Sequence, residues 1–229
     1  MLFKYNLITT VYVNLMKKQG TILITGAGGS IGSEISRQIV ETYSNSKIIL
    51  NDISELSLFS INQSLVEMSQ TNTLIPILGD LSKNFMVKEI TKVGPIDLIY
   101  HAAAYKHVNL SQTNELSYFI NNVQSTRNAI LLANQSNAQL IFISTDKAVN
   151  PINAMGRSKR FCEFLILDDI LQNHSDHKIV RFGNVLNSSG SVIPLFKEQI
   201  AQGGPVMVTD KKATRFFMSI QEAVNLVLS

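Results

Sequence analysis

One cysteine, Cys162, stands in the 229 residues. That excludes a disulfide within the chain and a zinc cage built on cysteines. Charge is also scarce, at 16% of residues against about 25% in an average domain. Disorder does not follow, because hydrophobic residues make up 45% and the net charge is only +3, a balance that favours a packed core. Twenty basic residues face 17 acidic ones, and basic runs stop at pairs such as Lys17–Lys18 and Lys211–Lys212. The concentrated patch of a nucleic-acid protein is missing, so no nucleic-acid partner is expected. No run reaches the ~18 apolar residues that span a bilayer. The segment Leu2–Met16 is broken by Lys4, Asn6, Thr9, Thr10 and Asn14, and Lys17 and Lys18 follow its apolar part. It reads as neither a transmembrane segment nor a signal peptide, and the cytoplasm is the expected compartment. Repeats and low-complexity stretches are absent, and twelve glycines and five prolines follow no period.

What is present is alternation. Short β-branched runs at Thr21–Thr25, Lys47–Asn51, Leu74–Leu78, Ile96–Tyr100, Gln139–Ser144 and Lys178–Phe182 alternate with stretches of 3.6-residue periodicity. Ile31, Ile35 and Ile39 mark the first helix. Ser54 caps a second, with Leu58, Ile61, Leu65 and Met68. A third runs from about Ser82 to Thr91 and stops at Gly94-Pro95. Leu116, Phe119, Ile120, Val123, Ile130 and Ala133 predict a long helix with a buried stripe, and a further helix covers about Met155–Gln172. Six strands alternating with helices predict an α/β fold, a Rossmann-like doubly wound parallel sheet. After Phe182 the rhythm changes to a loop at Asn187–Gly190, a helix at Val192–Ala201 and a short strand at Pro205–Thr209. The expected organisation is a lead-in over 1–19, a cofactor-binding domain over 20–182, and a partial, smaller C-terminal substrate lobe over 183–229.

The first strand runs into Gly26-Ala27-Gly28-Gly29-Ser30-Ile31-Gly32, with glycines 26, 29 and 32 spaced G-x-x-G-x-x-G. Missing side chains let backbone approach a pyrophosphate, and the following helix N-terminus offers N–H donors and a positive dipole. Asp52 lies twenty residues after Gly32, at the end of the second strand. A carboxylate there accepts from the adenosine ribose hydroxyls and repels a 2′-phosphate, so NAD is expected over NADP. The expected cofactor contacts are Gly26, Gly29, Ser30, Ile31, Gly32 and Asp52, with Ala102 and Ala103 after the fourth strand. Two readings fit Asp80: an acceptor for the adenine amino group, or a cap for the next helix. His101 reads as a satisfied structural residue and Cys162 as packing. No metal site is expected.

The fifth strand ends in Ser144-Thr145-Asp146-Lys147, an adjacent acid and base where open sheets bind ligands. A lone pair of this kind also reads as a surface salt link. Eight residues on, Met155-Gly156-Arg157-Ser158-Lys159 has the spacing of the Tyr-x-x-x-Lys signature, with Met155 in the tyrosine position. With GAGGSIGSE at 26–34, HAAAYKHV at 101–108, STDKAVNP at 144–151, RFGNVL at 181–186, SGSVIPLF at 189–196 and TRFFM at 214–218, the chain resembles an extended short-chain dehydrogenase/reductase. More narrowly, it resembles the nucleotide-sugar 4,6-dehydratases of bacterial polysaccharide biosynthesis.

That resemblance implies a cycle on a UDP-linked N-acetylhexosamine, such as UDP-N-acetylglucosamine. NAD takes hydride from C4, the ketone acidifies C5, water leaves from C6, and the hydride returns to C6. It implies Asp146 as the acid at the C6 hydroxyl and Lys147 as the base at C5. The base must be a neutral amine, which desolvation or nearby cations would favour. It implies Thr145 on the C4 oxygen and Lys159 on the nicotinamide ribose. Because a thioether cannot take a proton, Met155 leaves three acceptors open for the C4 hydroxyl: Asp146, Lys147 or a water. Asn122 is placed as a support of the site, and Lys106 and His107 near the sugar. Asn184 and Arg215 are placed near the diphosphate, where a guanidinium offers forked donors; a surface arginine is the bland alternative for Arg215. The family also implies a homo-oligomer formed through helices flanking the active-site helix. Family members continue past the TRFFM segment, and many carry an N-terminal membrane region. A non-catalytic nucleotide-binding remnant, or an epimerase or reductase of sugar nucleotides, are the competing readings. The missing tyrosine and the Asp146-Lys147 pair argue against the epimerase.

Overall fold

A computed structural model describes residues 19–229 apart from 187, 189–191, 209, 211 and 213. The expected lead-in up to residue 18, most of the Asn187–Gly190 loop, the first residues of the SGSVIPLF motif, Thr209 and Lys211 lie outside the described residues.

Six strands form a parallel sheet: β1 (Thr21–Thr25), β2 (Lys47–Asp52), β3 (Thr73–Leu78), β4 (Leu98–His101), β5 (Gln139–Thr145) and β6 (Lys178–Phe182). Their spatial order is β3-β2-β1-β4-β5-β6. The order reverses between β1 and β4, which opens a crevice at the carboxyl ends of those strands. Side chains alternate between the two faces. Ile22, Ile24, Ile48, Leu50, Ile141 and Ile143 enter one core. Leu23, Ile49, Ile99, Leu140 and Phe142 enter the other. Burial on both faces is why these strands are continuous β-branched runs rather than alternating ones.

On the first face lie α1 (Ser30–Thr42), through Ile35 and Ile39, and α2 (Glu55–Met68), through Leu58, Ile61 and Leu65. Ser54 caps α2 as expected, its hydroxyl accepting from the Ser57 N–H. On the second face lie α3 (Asn84–Thr91), the long α5 (Glu115–Ser136) and α6 (Ala154–Asn173); the short α4 (Val108–Thr113) precedes α5.

The stripe expected on α5 holds at Val123, Ile130 and Ala133, which pack into the second core, and is corrected over its first turns. Leu116, Phe119 and Ile120 are 72%, 38% and 52% exposed. The buried residues of α5 are Tyr118, Asn122, Ser125, Thr126, Asn128, Ala129, Leu132 and Ala133. The small side chains among them let α5 approach α6 closely, leaving Leu116, Phe119 and Ile120 outside. Phe119 meets Phe161 of α6 at 5.0 Å between ring centroids. Phe164 and Leu167 of α6 are exposed as well, so both helices carry large apolar side chains on their outer faces.

Beyond β6 a two-residue parallel pair forms between β7 (Asn184–Val185) and β8 (Phe217–Met218). Between them lies α7 (Val192–Ala201). No strand forms over 205–208, correcting the strand expected at Pro205–Thr209. Two glycines with positive φ, Gly203 and Gly204, precede it, and the partner of β7 comes from Phe217–Met218. The last helix, α8 (Ile220–Leu228), opens on a capping box between Ser219 and Glu222. It returns to the sheet, burying Val224 and Val227 in the first core.

Candidate active site

The crevice is built from the ends of β1, β2, β4 and β5. The loop from β1 to α1 is backbone packed on backbone. A Cβ on Gly26, whose φ is +65°, would sit 2.8 Å from the Ala103 backbone. One on Gly32 would sit 2.0 Å from the Gly26 carbonyl oxygen. Glycine is therefore required at both, and Ala102 and Ala103 lie directly against the loop. Gly29 occupies the N-cap of α1 and has no side chain to accept from the first-turn N–H groups. Asp52 is 8% exposed at the end of β2. Its carboxylate accepts from the Gly28 N–H at 2.8 Å and the Ser54 N–H at 2.9 Å, which ties the end of β2 to the glycine loop. A glycine turn packed tightly on its own backbone, a helix N-terminus lacking a capping side chain and a carboxylate beside the loop together fit a dinucleotide. Asp80 accepts from the Ser82 N–H at 2.9 Å, which closes a turn; the next helix, α3, has Lys83 at its N-cap and no capping side chain, so the helix-cap reading of Asp80 is corrected.

His101 is fully buried. Its Nδ1 lies 2.7 Å from the Thr25 hydroxyl and its Nε2 3.2 Å from the Thr126 hydroxyl. Burial, helped by the Lys159 charge, lowers its pKa to about 3, so the ring is neutral and structural, as expected. Asn122, 1% exposed, holds the segment after β4. Its amide accepts from the Tyr105 N–H at 2.8 Å and donates to the Tyr105 carbonyl at 3.1 Å and to Ser158 Oγ at 2.9 Å. The Tyr118 hydroxyl donates to the His107 carbonyl at 2.7 Å. Lys106 and His107 are thus exposed side chains on a backbone fixed from α5.

At the end of β5, Thr145 opens a single 3-10 turn, Asp146–Ala148. Asp146 Oδ1 accepts from Thr145 Oγ1 at 3.0 Å and from Lys147 Nζ at 3.0 Å. Burial alone would raise the Asp146 pKa, but these hydrogen bonds and the lysine charge hold it below the ordinary carboxylate range. Lys147 Nζ also donates to Asn184 Oδ1 at 2.9 Å. The partners of the amine are a carboxylate and an amide oxygen, and about a third of the side chain (32%) is exposed, rather than the desolvated setting expected for a neutral base. Against this turn packs the start of α6. A Cβ on Gly156 would come within 2.5 Å of the Lys147 carbonyl oxygen. Met155 is buried in that first turn, its carbonyl accepting from Ser158 Oγ at 2.8 Å. Lys159 is buried too. Its amine donates to the Ile143 carbonyl at 2.7 Å and stands 4.3 Å from the centroid of the Phe142 ring. Burial lowers its pKa to about 8, against the opposing pull of Cys162 and Glu163.

Thr145, Asp146, Lys147 and Asn184 are thereby brought together. Arg215 is not joined to them: it is exposed and donates to the carbonyl of its own neighbour, Thr214. One buried cluster went unread in the sequence. Glu163 of α6, with no exposed surface, accepts from Ser144 Oγ at 2.6 Å, from Arg181 Nε at 2.8 Å and from Arg160 at 3.1 Å. It braces the end of β5 against β6. Its signal was a glutamate on the inner face of α6 and an arginine inside the apolar strand KIVRF.

A family model described as "Polysaccharide biosynthesis protein" matches residues 22–229. The capsular polysaccharide biosynthesis protein CapD of Staphylococcus aureus is 45% identical over 215 residues, 91% of this chain and 35% of that protein. The UDP-N-acetylglucosamine 4,6-dehydratase (inverting) of Campylobacter jejuni is 33% identical across 91% of this chain and 62% of its own length. The UDP-glucose 4-epimerase of Rickettsia canadensis is 35% identical across 91% of this chain and 61% of its own length. The chain thus spans between about a third and three fifths of these relatives. Among solved structures, Pen from Bacillus thuringiensis superposes with a TM-score of 0.84 at 29% identity, covering 92% of this chain and 65% of that one. DesIV, a dTDP-glucose 4,6-dehydratase from Streptomyces venezuelae solved with NAD bound, shares the fold with a TM-score of 0.76 at 20% identity, over 90% of this chain and 70% of its own.

Proposed function

Because the chain belongs to the polysaccharide biosynthesis protein family, we propose that it carries the cofactor domain and catalytic edge of an NAD-dependent nucleotide-sugar 4,6-dehydratase. The substrate class is a UDP-linked N-acetylhexosamine, with UDP-N-acetylglucosamine as the first candidate. The product is a 4-keto-6-deoxy sugar nucleotide for surface polysaccharide synthesis, a reaction of cytoplasmic metabolites. The carrying observation is the Asp146–Lys147 pair at the end of β5, bonded at 3.0 Å, beside a buried Met155 in the tyrosine position.

NAD, when bound, supplies a reversible hydride acceptor. Gly26, Gly29, Ser30, Ile31 and Gly32 would hold its pyrophosphate, and Asp52 its adenosine ribose. Ala102 and Ala103 would line its path, and Lys159 would turn from the Ile143 carbonyl to the nicotinamide ribose. Asp80 near the adenine is the weaker assignment, since its carboxylate already caps a turn. Thr145 would hydrogen-bond the C4 oxygen. Asp146 in its acid form would protonate the leaving C6 hydroxyl, and Lys147 as free amine would take the C5 proton. Those two transfers leave a carboxylate and an ammonium, the ion pair found here. Asn122 would support the site through Tyr105, and Lys106, His107 and Arg215 would face the sugar nucleotide. Residues 20–182 would form the cofactor domain and 183–229 part of the substrate lobe, with α8 returned to the core. The outer apolar side chains of α5 and α6 would pair two copies.

The test is incubation of the NAD-loaded chain with UDP-N-acetylglucosamine in deuterated water. A 4-keto product with deuterium at C5 is expected, and Lys147→Ala should abolish it while NAD still binds. Formation of a 4-epimer without a keto product would favour the activity named for the Rickettsia relative. Neither product from a folded, NAD-loaded chain would refute the dehydratase.

A further inference from the structure

Asn184 is the one group outside the catalytic turn that holds the Lys147 amine among the described contacts. Its place is set by the small sheet. The Asn184 N–H donates to the Phe216 carbonyl at 3.1 Å, and the Leu186 N–H to the Met218 carbonyl at 2.8 Å. This β7–β8 pairing fixes where the Asn184 side chain leaves the backbone. An ammonium only donates, so the amide presents its oxygen to Nζ.

We infer that Asn184 is a positioning residue for Lys147, with gripping the nucleotide diphosphate not its main task. The inference rests on the dehydratase reading, in which Lys147 is the C5 base. An amine has four tetrahedral directions, one taken by its own Cε. Asp146 Oδ1 at 3.0 Å and Asn184 Oδ1 at 2.9 Å take two more. One direction remains, and on the free amine it is the lone pair. Two acceptors, one from β5's end and one from β7, thus leave the base a single direction. A proton transfer depends steeply on that alignment. The short β7–β8 sheet therefore acts on the chemistry as well as on substrate binding.

Among the described residues, the charged group bonded to this amine is Asp146. Asp146 lies on the same turn. On α6, packed against the turn, Lys159 is bonded to the Ile143 carbonyl and Arg157 is paired with Glu115. Beside β8, Arg215 donates to the Thr214 carbonyl. A change at position 184 is therefore read at Lys147 against a background dominated by Asp146.

The experiment compares the NAD-loaded chain with Asn184→Ala and the isosteric Asn184→Asp. Hydrogen bonds to charged groups are strong enough that Asn184→Ala should lower kcat for keto-product formation about tenfold to a hundredfold, with the KM for UDP-N-acetylglucosamine within about twofold. Independently of turnover, the Lys147 side-chain NMR signal should titrate at lower pH in Asn184→Ala, which loses an acceptor. In Asn184→Asp it should titrate at higher pH, because a carboxylate favours the ammonium. A raised KM with unchanged kcat and an unmoved Lys147 titration would make Asn184 a substrate contact and overturn the inference. If the unaltered chain forms no keto product, the dehydratase reading fails. The titration then decides the Asn184–Lys147 coupling alone, and an unmoved signal in both variants refutes it.

Discussion

Replacing Lys159 with methionine should make the ligand-free chain more stable at neutral pH. Lys159 is only 7% exposed, and burial holds its pKa near 8 instead of the ordinary 10.5. Each unit of such a shift corresponds to about 1.4 kcal/mol, so keeping the amine charged costs the fold about 3 kcal/mol. The sign follows from proton counting. Below pH 8 both folded and unfolded chains carry the proton, and the full cost applies. Between 8 and 10.5 the unfolded chain binds more protons, so stability rises with pH. Above 10.5 the amine is neutral in both states and the cost is gone. Methionine matches the length of the stem without the charge, but it loses the hydrogen bond to the Ile143 carbonyl, worth about 1 kcal/mol. Lys159→Met should therefore gain about 2 kcal/mol at pH 7, cross the parent between pH 8 and 10.5, and fall about 1 kcal/mol below it beyond. Urea unfolding of both proteins at half-unit steps from pH 7 to 11 measures this, and the difference cancels the tyrosines that titrate in both. A variant less stable at pH 7, or a difference that does not change with pH, would refute the account. Under the functional reading the same variant loses NAD affinity, so stability and binding should move in opposite directions.

Three other perturbations have defined outcomes. Glu163→Gln leaves Arg181 and Arg160 facing a neutral amide and should cost about 3 kcal/mol in chemical denaturation at pH 7. Burial would raise the Glu163 pKa, but the hydrogen bonds of Arg181, Ser144 and Arg160 hold it below its ordinary 4.5. Its contribution is therefore complete above pH 4.5 and lost as pH falls through the folded value, and the gap to the variant should close in acid. Gly32→Ala places a methyl 2.0 Å from the Gly26 carbonyl. It should weaken NAD binding at least about tenfold by calorimetry, since the helix must retreat from the loop. Asp52→Ala frees the Gly28 and Ser54 N–H groups and removes the charge that repels a 2′-phosphate. The ratio of NAD to NADP affinity should fall, read by competitive binding.

The doubly wound parallel sheet was legible because six β-branched runs alternating with helical stretches have few ways to pair, whereas the order of its strands came only from the structure. The glycine loop and Asp52 were legible for the same reason: their separation along the chain spans one strand–helix–strand unit. The start of the α5 stripe misled while Val123, Ile130 and Ala133 did reach the core, since periodicity reports that a helix has an apolar face without saying what covers it. Leu116, Phe119 and Ile120 look like core residues, whereas the surface that meets α6 is made of Asn122, Ser125, Thr126 and Ala129. Contacts between distant segments were beyond reach. The return of α8 to the first core, the bracing of Ser144 by Glu163 and the hold of Asn184 on Lys147 each depend on elements that meet only in three dimensions.

The seam between β1 and β4 has a consequence for how the molecule is made. It joins Thr25 to His101, 76 positions apart, through a buried hydrogen bond, and the Gly26 turn is shaped by the Ala103 backbone on its far side. Closing so long a loop carries an entropic cost before any contact offsets it, and parallel pairings of this kind form slowly. On a ribosome, β1 must wait until β4 has emerged before its glycine turn has a wall to rest on. Under the proposed function, competence to take up a dinucleotide thus arises late in assembly, and uptake would report that the two halves of the sheet have met.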